Sequence, residues 1–333
     1  MIILTDKEIN RADWKSFFNK NQFSTPFQSA EYFDFFNSVP GYSAKVFAIQ
    51  DNDELHALCV VTFQKENGIK GFFSRRAIIY GGPLISSGND GIIALKILLK
   101  TINEEVKNNA IYIEIRNLND YGTYKEYFET SGWNYLNYLN FHLYCGSEEV
   151  AWNNFNNNRK RQIKKSLKLG VQIEEASSIF EVTEFYRILK DLYYTKIKKP
   201  LPSFEYFHRL FDTRIAKFFL VKFQEKIIGG IVCPVLEGIS IYEFYICGLD
   251  QEFKDASPSV MATFAAIEYG YKNKLERFDF MGAGKMNEDY GVRDFKEKFG
   301  GKLVEHGRFF KIFNPILYQI GKFGLTTIKP LIK

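Results

Sequence analysis

Residues 276–301 read ERFDFMGAGKMNEDYGVRDFKEKFGG. Arg277–Met281 has the apolar density of a short buried strand, Gly282-Ala283-Gly284 breaks it into a turn, and an acidic loop follows over Asn287–Tyr290. A helical turn carrying Phe295, Lys296 and Phe299 comes next and closes on Gly300-Gly301. A strand that releases its chain at its carboxyl end, with a cation between two aromatic rings just beyond, can set one charged donor beside a reacting carbonyl. The plainer alternative is that Phe295 and Phe299, four apart, form a single apolar stripe while the lysines face water.

Upstream of this stretch, Phe218–Lys222 and Ile227–Leu236 read as a strand-turn-strand around Gln224-Glu225-Lys226. Ile239–Cys247 reads as a further strand and Ser257–Asn273 as a helix. The first half repeats this order. Lys45–Gln50 and Ala57–Gln64 pair around Asp51–Glu54, Ile78–Tyr80 runs into Gly81-Gly82-Pro83, a helix covers Asp90–Asn108, and Ile111–Ile115 is a buried strand. A fixed order recurring at an offset of roughly 165–170 residues is what internal duplication leaves. The length, 333 residues, also suits two domains, because single cores stop growing above about 250 residues.

Ahead of the first repeat, residues 5–20 read as an amphipathic helix, and Ser29 as the N-cap of a second helix that ends in Phe35-Phe36. Between the repeats, Glu148–Gly170 reads as one basic helix stopped by Gly170. It contains Arg159, Lys160, Arg161, Lys164, Lys165 and Lys168, a run that can meet phosphates or simply face water. Tyr193–Pro202 is a helix end and a turn set by two prolines, which can hold Thr195 and Lys198 toward a ligand or pack as a surface turn. Tyr242, Glu243, Phe244 and Tyr245 alternate along a strand, so two of them face one side, where tyrosine hydroxyls can bond a substrate; Glu243 is a candidate base.

The composition, 46% hydrophobic and 25% charged, is that of a globular protein, with an aromatic surplus of 33 Phe and 20 Tyr. A net charge of +5 favours anionic partners and falls short of a nucleic-acid-coating protein. Cys59, Cys145, Cys233 and Cys247 are scattered in apolar runs without a CxxC pair, so neither a metal site nor a disulfide framework is expected. Asp6 and Glu8 interrupt the start before an apolar signal can form, and no run reaches the ~18 apolar residues of a membrane span, so a cytoplasmic location is expected. The tail, residues 307–333, is apolar and cationic. It can lie on an anionic membrane or pack back on the first domain, and Pro315 and Gly321, read as interrupting a helix, favour packing.

FDFMGAG followed by YGVRDFKEKFGG resembles the end of the second domain in the FemAB/FemX peptidoglycan aminoacyltransferases, and NNRKRQIKKSLKLGVQIEE resembles the motif that opens that domain. Tyr80-Gly81-Gly82-Pro83 and Gln28-Ser29 resemble further elements of the family in the first half. The resemblance implies an α/β (α+β) chain built from a tandem duplicated GNAT-like acyl-CoA N-acyltransferase fold, with mixed sheets flanked by helices. Residues 1–147, completed by the tail 307–333, would form the first domain and 148–306 the second.

The resemblance implies an aminoacyl-tRNA donor and a peptidoglycan precursor acceptor, lipid-linked or nucleotide-linked, in cell-wall synthesis. No other cofactor is implied. Lys296 and Phe295 would serve acyl transfer, with Lys296→Ala abolishing it and leaving the fold intact. Arg159, Lys160, Thr195, Lys198, Tyr242, Tyr245, Tyr80 and Gln28 would contact substrates. Members that take a nucleotide-linked precursor carry a lysine where this chain has Phe36, a departure from that acceptor class. The turn Asp255–Ser259 lacks the arginine/glutamine and glycine pattern that holds an acyl-CoA pyrophosphate. Transfer from CoA or a carrier protein to a sugar amine, and an inert binding module, are the alternatives. No serine or cysteine stands in a nucleophile elbow, so direct attack without an acyl-enzyme is expected.

Overall fold

The computed structural model describes residues 1–66 and 70–327. The chain divides into two units, Met1–Asn137 with His306–Lys333, and Tyr138–Glu305. In the first, β1 (Ile2–Thr5), β2 (Tyr42–Asp51), β3 (Glu54–Gln64), β4 (Arg76–Gly81), β5 (Leu84–Ile85), β6 (Tyr112–Asn117) and β7 (Asn134–Leu136) build one sheet with a late strand, Arg308–Ile312. The order is β1, β2, β3, β4, β6, the late strand and β7, with β5 also on β3; only β4 and β6 run parallel. Asn52 and Asp53 take φ of 47° and 64°, the left-handed pair that lets a two-residue turn follow the strand twist. Ala77, Ile79, Ile113 and Ile115 face the core, which the helix Gly88–Val106 covers with Leu95, Leu98, Leu99 and Ile102.

The second unit repeats the plan with β8 (Leu139–Tyr144), β9 (Gln172–Glu175), β10 (Ala216–Phe223), β11 (Lys226–Leu236), β12 (Ser240–Tyr242), β13 (Tyr245–Gly248), β14 (Arg277–Asp279) and β15 (Lys302–Glu305). The order is β15, β8, β14, β12, β11, β10, β9, with β13 also on β11 and β12 parallel to β14. Gln224 and Glu225, at φ 51° and 60°, repeat the hairpin turn of the first unit. Each unit is a mixed sheet flanked by helices, as expected, and the helix Pro258–Lys272 brings Val260, Met261, Phe264 and Ile267 into the second core.

Several expectations need correction. The domain break falls at Asn137/Tyr138, ahead of 147/148, because β8 hydrogen-bonds to β14 and β15 of the second unit. The late strand Arg308–Ile312 takes the matching place beside β6 and β7 in the first. Each repeat therefore receives a strand from the segment that follows the other.

Residues 5–20 are not one helix. Ile2–Thr5 pairs with β2, Glu8 accepts from the Thr5 amide at 2.8 Å, and the helix spans Arg11–Lys20. The basic segment is two helices, Glu148–Asn154 and Asn157–Lys168, because Phe155 is buried and Asn156 caps the second by accepting from Arg159 N at 2.8 Å. Gly170, at φ 87°, ends it as expected.

The strand expected over Ile239–Cys247 splits at Glu243-Phe244. Val232 gives its carbonyl to Phe244 N, whereas Pro234, two residues on and aimed to the same side, has no N–H to donate to the neighbouring strand; the Glu243 amide continues the ladder to β14 by donating to Asp279 O at 2.9 Å. Tyr242 and Tyr245 accordingly sit on different strands. In the tail, Pro315 begins the helix Pro315–Thr327 instead of breaking one, and Gly321 lies within it. Lys329 and Lys333 lie outside the described residues.

Candidate functional site

The break between β12 and β13 opens a wedge beside the carboxyl end of β14, and Lys296 fills it. Its Nζ donates to Phe280 O at 2.6 Å and Gly282 O at 2.8 Å, and stands 2.9 Å from Glu243 Oε1. Three partners take an ammonium's three protons. Met281 and Gly282, at φ 54° and 128°, carry the chain across this point. The Asp279 side chain accepts from Met281 N at 2.7 Å and from Asn140 Nδ2 at 2.8 Å, and Asn140 Oδ1 accepts from Gly282 N at 2.7 Å.

Glu243 is buried and Thr263 Oγ1 donates to it at 3.4 Å. Burial lifts its carboxyl above the ordinary range, and Lys296 draws it back only in part. The pair ties the strand break to the loop after β14. Removing one member strands a buried charge, so the expectation that Lys296→Ala leaves the fold intact is revised.

The cation cradled by rings is Arg159, not Lys296. Its guanidinium lies 4.6 Å from the Phe295 ring centroid and 4.3 Å from that of Phe299, and donates to Phe295 O and Gln162 Oε1, each at 2.8 Å. Burial lowers Arg159 to about 10. Phe295 thus serves to seat Arg159, and both residues belong to the packing that fixes the helix Gly291–Glu297. Arg159→Lys is expected to lower stability by about 2 kcal/mol in urea titration, because an ammonium cannot span both rings and both acceptors.

His142, on β8 directly across from Asp279, brings Nε2 to 3.1 Å from Asp279 Oδ2. This pair of a buried carboxylate and a half-buried imidazole is not visible in the sequence, since its members are far apart and meet only through the pairing of β8 with β14. Burial pushes Asp279 up, but His142, Arg277 and Asn140 outweigh it and hold the carboxyl at about 2.

The N-terminus of the helix Pro258–Lys272 is closed by the chain itself. Asp250 Oδ1 accepts from Ser259 N at 3.0 Å and its other oxygen from the Ser259 hydroxyl. Nearby, Lys165 pairs with Asp255. A carboxylate therefore stands where such a helix would receive a phosphate.

Residues 235–323 match the FemAB family. Their span includes Glu243, Asp250, Asp279 and Lys296. The solved structure of FemX aligns with TM-score 0.73 at 16% identity, covering 96% of this chain and 99% of that one. L-PGS from Bacillus licheniformis aligns with TM-score 0.56 at 12% identity, over 94% and 96%. A tandem GNAT protein from the clavulanic acid biosynthesis pathway gives 0.56 at 6%, over 94% and 99%. No curated protein sequence matched the chain. The carboxyl-terminal stretch is thus similar to the FemAB family, and the chain has the fold of these structures.

Of the remaining candidates, Gln28 and Tyr80 belong to the first unit and the others to the second. Gln28 is fully buried and works as a backbone clamp. It donates to Tyr80 O at 2.8 Å and Val60 O at 3.3 Å and accepts from Val60 N at 2.7 Å, filling the gap between β4 and β5. Its amide is spent on the fold, so the substrate contact expected of it is corrected. Tyr80 packs on Phe27 and stacks on Phe36, and Gln64 donates to its hydroxyl at 3.2 Å.

Tyr242 is buried in the second unit, where burial raises its hydroxyl to about 12, and the substrate contact expected of it is corrected likewise. Tyr245 packs among Tyr193, Tyr206 and Phe207. Thr195 is exposed in the π turn Tyr193–Ile197 and donates to Asp191 O at 2.8 Å, while Lys198 is exposed at φ 55°. Lys160 is half-buried.

The first unit holds a cationic cluster that the sequence reading did not pick out. Arg116 and Arg308 flank Glu114 at 2.9 and 2.6 Å, Arg116 lies 5.4 Å from the Tyr80 ring, and Arg76 donates to Gln64 at 3.1 Å. Alternation along β4 and β6 puts Arg76, Tyr80, Glu114 and Arg116 on the face opposite Ile113 and Ile115. Burial pushes Glu114 up, but the two arginines outweigh it and hold the carboxyl at about 2.

Glu114 and Asp279 both titrate below their ordinary values of 4.5 and 3.8. Their contribution to stability is present above those values and lost as pH falls toward about 2. Urea titrations at about pH 7 and about pH 3 are expected to show this loss, and Glu114→Gln to reduce the difference.

Proposed function

We propose that the chain is an aminoacyltransferase that moves an amino acid from aminoacyl-tRNA to the amino group of a peptidoglycan precursor peptide. The observation that carries this reading is the coincidence of the FemAB match with the Lys296–Glu243 wedge. The amine attacks the ester carbonyl, a C–N bond forms, the ester C–O bond breaks, and the amine's proton passes to the departing ribose oxygen. In this reading Lys296 steadies the charge that develops once one of its two carbonyl partners yields to the substrate oxygen.

Asp250 at the helix N-terminus weighs against acyl-CoA as donor, since a pyrophosphate there would have to displace a carboxylate. The test is to incubate the purified chain with charged tRNA and a precursor peptide and read peptide masses. One added aminoacyl residue, dependent on Lys296, is expected. Tight acetyl-CoA binding by calorimetry, with acetylated product and no aminoacyl product, would overturn the reading.

A further inference from the structure

We propose that the first unit carries a membrane-docking patch built from two helices remote in sequence, Lys70–Ser74 and Pro315–Thr327, and that its partner is an anionic lipid surface. The two helices pack on each other: Gly321 lies so close to the Phe73 carbonyl oxygen that an added Cβ would be 3.0 Å from it. The later helix is fastened on one side by Tyr318, whose ring packs on Tyr112 and Phe310 of the sheet at 5.5 and 5.6 Å. Ile316 and Ile320, four apart and so on one face, point elsewhere and remain 75% and 48% exposed. Phe72 and Phe73 add two large side chains, 52% and 39% exposed, edge to face with each other.

Side chains of this kind left in water carry a free-energy cost that an interface relieves. Charge selects the interface. The described residues of the stretches that build the patch, 65–66, 70–76 and 311–327, contain six lysines and arginines and one carboxylate, Glu66. Arg75 sits over the Phe72 ring at 4.9 Å, and Lys322 is exposed in the later helix. Aromatic and aliphatic side chains backed by cations match the acyl boundary and head groups of an anionic bilayer; a protein partner would have to supply nearly all of the negative charge. Among the described residues no helix is long and apolar enough to cross a membrane, so the patch describes a chain that lies on the surface. The proposal goes beyond the acyl-transfer reading, and its test needs no substrate.

The full chain is mixed with vesicles of phosphatidylcholine and phosphatidylglycerol in equal parts, or of phosphatidylcholine alone, and sedimented. Partition to the anionic vesicles, weakened by salt and absent with phosphatidylcholine, is the expected result. Combining Phe72→Ser, Phe73→Ser, Ile316→Ser and Ile320→Ser is expected to lower partition by at least about tenfold without changing the thermal transition, since these side chains are exposed. Arg75→Gln with Lys322→Gln is expected to reduce it and flatten the salt dependence. Wild-type chain that stays with the supernatant, or variants that bind equally, would overturn the proposal. So would a wild-type dimer in lipid-free buffer that the four substitutions convert to monomer, because the patch would then be a self-association surface.

Discussion

Lys296→Met is expected to lower the stability of the folded chain by about 3–5 kcal/mol and to abolish aminoacyl transfer. The methionine fills the wedge with similar volume but leaves the Glu243 carboxylate buried and unpaired, and the Phe280 and Gly282 carbonyls without a donor. Most of the stability loss comes from that stranded charge and not from the pair's net worth, because desolvation offsets much of the attraction between buried ions. The double variant Lys296→Met with Glu243→Gln is therefore expected to regain much of the stability in urea titration. Transfer should remain absent in the double variant if the ammonium itself meets the substrate. Recovery of transfer together with stability would make Lys296 a positioning residue, and the catalytic role would have to be withdrawn.

Gly300→Ala is expected to cost roughly 3 kcal/mol and to lower the thermal midpoint by several degrees. Gly300 has a φ of 79°, and a Cβ there would run into the Asn154 carbonyl oxygen, which is backbone and cannot swing aside. Its neighbour Gly301, at φ 94°, would place a Cβ 2.8 Å from His142 O. The comparison is Gly170→Ala: the same left-handed conformation, φ 87°, but nothing within 4 Å of the added methyl, so only about 1 kcal/mol is expected. Differential scanning calorimetry of the two variants separates the backbone term from the collision. Equal shifts would mean that the FGG element is kept for its turn alone.

Much of the architecture was legible in the chain. Asp51–Glu54 and Gln224–Lys226 announced hairpins because two-residue turns need residues that tolerate positive φ, and those positions take it. The helices over residues 88–106 and 258–272 followed from apolar spacing, and the repeated order of parts gave the duplication. Local spacing could not reveal the split at Glu243-Phe244, where Pro234 removes a ladder hydrogen bond from the neighbouring strand. Nor could it reveal that the last strand of each repeat joins the other unit, since pairing partners about 130 to 200 residues apart leave no periodic trace.

The candidate site divides along the same line. Sequence alone marked the FK-x-x-FGG element and the basic run before it as the chemically dense stretches, through residue types and their order. Tertiary structure assigned their partners. It put Arg159 between the rings, set Lys296 against Glu243 and two carbonyls, spent Gln28 on the backbone, closed a helix end with Asp250, and joined His142 to Asp279. The reason is physical: a charge's neighbours within about 4 Å decide its role, and for every one of these groups but the Asp250 cap at least one such neighbour comes from a distant part of the chain.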